Sequence, residues 1–176
     1  MNTIKKADKD IAMKEFWRDN ARFADLFNAV LFEGKEMIKA GQLNELDTDM
    51  SGTIQWKNGY SMLKRTRDIV KKEYNGVEFN ILGLEIQNKI HYAMPLRTMI
   101  YDGLGYLKEY NELKRKNKEK GSVTPEEFLS GMNKEDRLHP IITIVLYCSE
   151  KIWDGPCCIK DMMIDMPAEY EKIFTD

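Results

Sequence analysis

Apolar residues recur along this chain in two different periods, and the change between them marks its organisation. Phe23, Leu26, Phe27, Val30 and Leu31 fall on one face of a helix predicted over 20–32, and Gly34 stands where that helix would end. From 37 to 60 the pattern is weak, with Gly41, Gly52 and Gly59 among Glu45, Asp47 and Asp49, which reads as loop with one short strand. The period then shortens to two. Asn75-Gly76, a strong hairpin signal, predicts antiparallel strands over 62–74 and 77–88. A helical period returns at Met94, with Pro95 in its first turn; Leu96, Met99, Ile100, Gly103, Leu104 and Leu107 form a core-facing stripe as far as about 113. The charged "KEYNELKRKNKEKG" is the exposed tail of that helix running into a loop.

Thr124 and Glu127 have the spacing of a capping box opening a short helix. "HPIITIVLYCS" is a continuous β-branched run, the mark of a strand buried on both faces. Ile159, Met162, Met163 and Met166 ahead of Pro167 predict a last helix within 159–174. Helix, hairpin, helix, buried strand and helix in that order make an α/β domain on a mixed central sheet, with helices flanking it.

Composition narrows what such a domain does. The 176 residues suffice for one domain, 1–176, and the net charge of −2 excludes a chain that coats nucleic acid non-specifically. Cys148, Cys157 and Cys158 are odd in number and offer no CxxC, so free thiols in a reducing cytoplasmic setting are expected. No run approaches the ~20 apolar residues of a membrane span.

The hairpin carries the candidate chemistry. With Asn75 and Gly76 as the turn, Tyr74 pairs with Val77, Asp68 lies opposite Gly83 and Thr66 opposite Glu85. Alternation then points Asp68, Gly83, Glu85 and Gln87 to one face and Ile69, Leu82, Leu84 and Ile86 to the other, unless a bulge breaks the parity. Diagonal neighbours of this kind lie roughly 7–8 Å apart at the backbone, close enough for two carboxylates to converge on one cation. Carboxylate and carbonyl oxygens suit Mg²⁺ or Mn²⁺, and Gly83 would leave space for the ion. The alternative is ordinary ion pairing, Asp68 with Arg65 or Arg67 and Glu85 with Lys64 or Lys89. Lys57, Lys64, Arg65, Arg67, Lys71 and Lys72 gather on the first strand, beside the acids, and could face DNA phosphates. Glu45 and Asp47 read as solvated loop acids, His91 and His139 as structural, and Trp17, Trp56 and Trp153 as packing anchors.

The stretch "RTRDIV…VEFNILGLEIQNKIHYAMPLRTMIYDGLGYLKE", with "RFADLFNAVLFEGKEMI" before it and "EFLSGMNKEDRLHPIITIVLYCSEKIWDGP" after it, resembles the Rpn-type recombination-promoting nuclease and transposase family. That family is a branch of the PD-(D/E)XK superfamily, and the order of EIQ, MPLR–xxx–YD and WDGP is more specific than any one piece. The resemblance implies a restriction-endonuclease-like core over about 20–156, built of a helix, a three-stranded meander, a second helix and a further strand. It implies a Mg²⁺- or Mn²⁺-dependent DNA endonuclease associated with recombination and transposition. Asp68 and Glu85 would be metal ligands together with the Ile86 backbone carbonyl, and Gln87 would occupy the position of the usual lysine. Arg97 and Tyr101, four apart on the next helix, would face the same cleft and contact phosphate, with Lys64 and Arg67 adding DNA contacts. Gln87 has no useful proton affinity, so it can orient a water but not deprotonate it. The chain is shorter than is usual in the family, with residues 157–176 as a short helical remnant. DNA is the expected partner, no membrane is, and a homodimer stays open. The alternative function is a catalytically inactive nuclease-fold module that binds DNA or a protein.

Overall fold

The computed structural model describes residues 2–46, 48–56, 59–75, 78–121, 124–165 and 167–171. It begins with two helices, α1 (Asn2–Arg18) and α2 (Asn20–Leu31), separated by Asp19, whose carboxylate caps α2 by accepting the Arg22 amide at 3.1 Å. The sequence reading contains no α1. Its charged positions carry no apolar stripe, and among its described side chains Met13 and Trp17 pack against the core. In α2, Phe23 and Phe27 are fully buried and stacked, with ring centroids 4.5 Å apart. Val30 and Leu31, expected on the same face, are exposed instead. Gly34, at φ +81°, returns its amide to the Asn28 carbonyl at 2.9 Å and closes the helix.

A 3-10 turn (Ala40–Gln42) leads into six strands: β1 (Leu43–Glu45), β2 (Asp49–Trp56), β3 (Gly59–Thr66), β4 (Ile69–Asn75), β5 (Glu78–Gln87) and β6 (Ile141–Tyr147). Four of them form a mixed sheet in the order β1-β4-β5-β6, antiparallel except for the parallel pair β5/β6, while β2 and β3 make a separate antiparallel ladder. The fold is therefore mixed α/β, a four-stranded mixed sheet flanked by helices. Glycine-rich 37–60 contains β1, β2 and the start of β3, which a weak apolar pattern conceals. β6 is half-buried rather than covered on both faces, because it forms the sheet's edge.

The crossover from β5 to β6 is α3 (Met94–Lys120), with Pro95 in its first turn as expected, running past 113 until Gly121 at φ +84° stops it. α4 (Pro125–Ser130) opens with the predicted capping box, Thr124 and Glu127 bonding reciprocally. The last helix is not formed as one piece. Its described residues give a 3-10 turn at Lys160–Met162 and the short α5 (Ala168–Glu171), with Met166 and 172–176 outside the described residues. Cys148, Cys157 and Cys158 are unbridged. Among the described residues no helix is long and apolar enough to cross a membrane.

The sheet buries both faces. On one side Ile69, Leu82, Leu84 and Ile86 pack against Phe23, Phe27 and Ile38. On the other, Val70 and Ile81 meet Leu104 of α3. The α3 stripe is rotated from its expected place: Met94, Tyr101, Leu104 and Gly105 are buried, whereas Leu96, Met99 and Ile100 are exposed. The most apolar face of α3 looks outward because the inward face carries Arg97, Tyr101 and Asp102, which the β5 side needs.

One buried amide fixes the chain after α2. Asn28 Oδ1 accepts from the Ile38 amide at 2.8 Å and the Met37 amide at 3.1 Å, while Nδ2 donates to the Ile38 carbonyl at 2.8 Å. Asn28→Ala strands these groups in a site that water does not reach. We expect a loss of about 3 kcal/mol in urea unfolding, out of proportion to the atoms removed.

Candidate functional site

The strand expected over 62–74 is broken at Arg67 and Asp68. Glu45 pairs with Lys71, yet Asp49, four residues on, pairs with Thr66, five residues back. That extra residue is a bulge, and bulges re-aim side chains. The bonds from Leu46 to the Val70 carbonyl (2.9 Å) and from Arg67 to the Thr48 carbonyl (3.0 Å) bracket it. The β4/β5 register also differs from the expected one: Tyr74 pairs with Phe79 and Val70 with Gly83, and Gly76 and Val77 lie outside the described residues. A slip of two residues preserves facing. The break at 67–68 does not.

Arg67 takes the space that Gly83 leaves open. It is 2% exposed, and a Cβ on Gly83 would collide with its Nη1 and come within 3.1 Å of Thr143 Oγ1. Its Nη2 donates to Asp102 of α3, whose Oδ1 also accepts from Thr143 Oγ1 at 2.9 Å. The Tyr101 ring lies beneath it, 5.7 Å to the centroid. The expected DNA contact through Arg67 is thus corrected. A guanidinium held inside the fold does not reach a phosphate backbone, and the cavity at Gly83 holds this group rather than an ion.

Asp68 points to the end of the β4 ladder, where β5 continues unpaired on that side. Its Oδ2 accepts the Ile86 amide at 2.8 Å, and its Oδ1 pairs with Lys14 of α1 at 2.9 Å. Arg67 is not the partner in that pair, and the Arg65 side chain lies outside the described ones. Burial opposes the Lys14 charge, but the bonds from Asp68 and Asp10 carry its pKa above the ordinary value. Asp68 also lines a cleft of about 180 Å³ with Arg18, Glu45 and Thr48, which brings Glu45 to the rim of the site.

Glu85 is the most constrained of the three expected catalytic residues. It is 0% exposed, and neither carboxylate oxygen has a hydrogen-bond partner among the described residues. Among the described residues it pairs with Arg97 Nη2 at 3.5 Å from Oε2, an ion-pair separation too long for a hydrogen bond. Burial first, and then the Asp68 charge, push its carboxyl up to about 7, against the opposing pull of Arg97, Arg67 and the Asp68 amide. Gln87 follows it at the half-buried end of β5, its carbonyl bonded to the Cys148 amide at 2.8 Å.

Arg97 and Tyr101 do share a face of α3, with Arg97 Nε donating to the Tyr101 hydroxyl at 2.6 Å. Both line an open cleft of about 430 Å³ with His91, Leu96 and Ile100. Lys64 belongs to β3, but its side chain, like those of Arg65 and Trp56, lies outside the described ones, as do Asp47 and Lys57 altogether. Lys71 is buried rather than facing DNA. Its ammonium donates to the Arg18 carbonyl and to Asn20 Oδ1 at 2.5 Å, joining β4 to the α1–α2 junction, and burial lowers its pKa.

No protein-family model matches the chain, and neither does any curated protein or solved structure. Among the described residues, no three His, Cys, Asp or Glu side chains converge as a ready cation site. Three residues of the site have no place in the sequence reading: Lys14, Asp102 and Thr143. Asp102 stood in the quoted MPLR–xxx–YD stretch one residue after Tyr101, so its place was legible. Lys14 has no comparable signal.

Two outcomes test this geometry. Gly83→Ala should cost roughly 1–3 kcal/mol in urea unfolding, because Arg67 is pinned and cannot yield to a methyl group. Glu85 should make stability fall with pH: folded, it keeps a proton up to about 7, against 4.5 for an ordinary glutamate. Its contribution is complete below 4.5 and lost as pH rises through 7, by about 2–3 kcal/mol. Glu85→Gln, which mimics the protonated acid, should flatten that slope and exceed the parent's stability at pH 8. Urea midpoints at pH 5 and pH 8 provide the check.

Proposed function

We propose that this chain is a Mg²⁺- or Mn²⁺-dependent phosphodiester hydrolase acting on DNA. The observation that supports the reading is the Glu85 carboxylate, fully buried, without a hydrogen bond among the described residues, and adjoining Asp68. An ionised carboxylate left that way is costly, and its neighbour's charge adds to the cost. A divalent cation relieves both. The donor set fits one, since Asp68, Glu85 and the Ile86 carbonyl are hard oxygen ligands that would hold Mg²⁺ or Mn²⁺. Bound there, the ion would polarise a phosphoryl oxygen and lower the pKa of a water.

The chain's own residues do the remaining work. The Ile86 amide fixes one oxygen of Asp68 and so sets the direction of the other. Arg97, a third exposed and braced by Tyr101, stands between Glu85 and the open cleft, where a phosphate would meet it. Gln87 orients water or phosphate by hydrogen bonds and takes no proton.

A second reading has its own support. Lys14 already neutralises Asp68, and Gln87 supplies no base, an arrangement that suits a module binding DNA or a protein without cutting. Incubating supercoiled plasmid with the protein and Mn²⁺ separates the two. A hydrolase should nick the plasmid, and Asp68→Asn or Glu85→Gln should slow nicking by roughly a hundredfold. Mn²⁺ should also raise the melting temperature of the parent but not of these variants. Intact plasmid and an unmoved melting curve would leave only the binding module.

A further inference from the structure

We infer that Lys14 is an internal counter-ion for the acid pair, which a divalent cation must displace from Asp68, so that helix α1 sets the site's affinity for metal. The inference rests on the metal-centre reading of Asp68 and Glu85. Lys14 Nζ lies 2.9 Å from Asp68 Oδ1, the oxygen left over once the Ile86 amide has taken Oδ2. An ammonium there occupies the direction from which Asp68 would ligate, and it repels any cation that approaches.

The same ammonium has a second seat. Asp10 Oδ2, one turn earlier on α1, lies 3.1 Å from Lys14 Nζ. Lys14 can therefore leave Asp68 without losing an ion pair. That makes exchange with a divalent cation a small rearrangement of one long side chain at the surface, and α1 needs no movement of its own. Glu85 gains most from the exchange. Its cation among the described residues, Arg97, stops 3.5 Å short, whereas Lys14 reaches Asp68 and Asp10.

Mn²⁺ titration of the full chain by calorimetry tests the inference. Lys14→Met keeps the length of the side chain and removes its charge, so Mn²⁺ should bind roughly fivefold more tightly than to the parent. Lys14→Arg, which keeps the charge, should stay within about twofold of the parent. In the labelled parent protein, the Lys14 ammonium resonance should shift with added Mg²⁺, and Asp68→Asn should displace it without metal. Equal or weaker Mn²⁺ binding by Lys14→Met overturns the inference while leaving a metal centre in place. A Lys14 signal unmoved at saturating Mg²⁺ overturns it too, and does so even if Lys14→Met fails to fold. Mn²⁺ binding by neither parent nor variant removes both this inference and the metal-centre reading beneath it.

Discussion

A guanidinium buried beneath a strand residue that has no side chain organises the centre of this molecule. Arg67 lies where Gly83 offers no Cβ, and its bond to Asp102 ties the start of β4 to α3. Asp102 in turn reaches Thr143 on β6, so one carboxylate joins the helix to two strands that are not neighbours in sequence. An arginine this deep requires its charge to be answered, and its Nε and Nη1 have no hydrogen bond among the described residues. Removing either partner would leave a worse imbalance than removing both. The face of β5 toward α3 is consequently polar at Gly83 and Glu85 and apolar only farther along, at Ile81.

From that placement follows the break in the strand. Arg67 and Asp68 are adjacent, and regular alternation would send them to opposite faces. The bulge instead brings Arg67 under Gly83 and turns Asp68 to the ladder's end, against the Ile86 amide and Lys14. Glu85 is left in the interior with two cations near it and hydrogen-bonded to neither. Charge is thus distributed unevenly over a few ångströms: among the described residues Asp68 has a hydrogen bond and an ion pair, Arg67 bonds through one nitrogen, and Glu85 has only its long ion pair with Arg97. Uneven compensation of this kind occurs both in structural ion-pair networks and at functional sites.

Much of the fold was legible because its strongest signals are local. The Phe23–Phe27 part of the α2 face, Pro95 in the first turn of α3 and the Thr124–Glu127 box each depend on residues within one or two turns, and each forms. What escaped depends on distant partners. The α3 stripe is displaced because Arg97, Tyr101 and Asp102 are recruited by β5 and β4, a demand that apolar periodicity does not express. β6 reads as doubly buried from its composition, yet its place at the sheet's edge is a matter of topology. The candidate site divides in the same way. Asp68, Glu85, Arg97 and Tyr101 do gather near one another, while Arg67 belongs to the interior, because nothing in its neighbours' spacing reveals the bulge that turns it inward.

The polar helix α1 shows most plainly why local pattern falls short. Its sequence has no stripe to bury, and an isolated helix of such composition gains little from packing. Its attachment is polar instead: the Arg18 carbonyl accepts from the buried Lys71 ammonium, and Lys14 pairs with Asp68. Trp17 and Met13 add the apolar part of the contact. A helix docked by charge onto Asp68, whose neighbour Glu85 has no hydrogen bond among the described residues, is not an ornament on the sheet. The Lys14–Asp68 pair belongs both to that docking and to the electrostatics of Asp68, so any cation that enters beside Asp68 must also alter one of the contacts that hold α1.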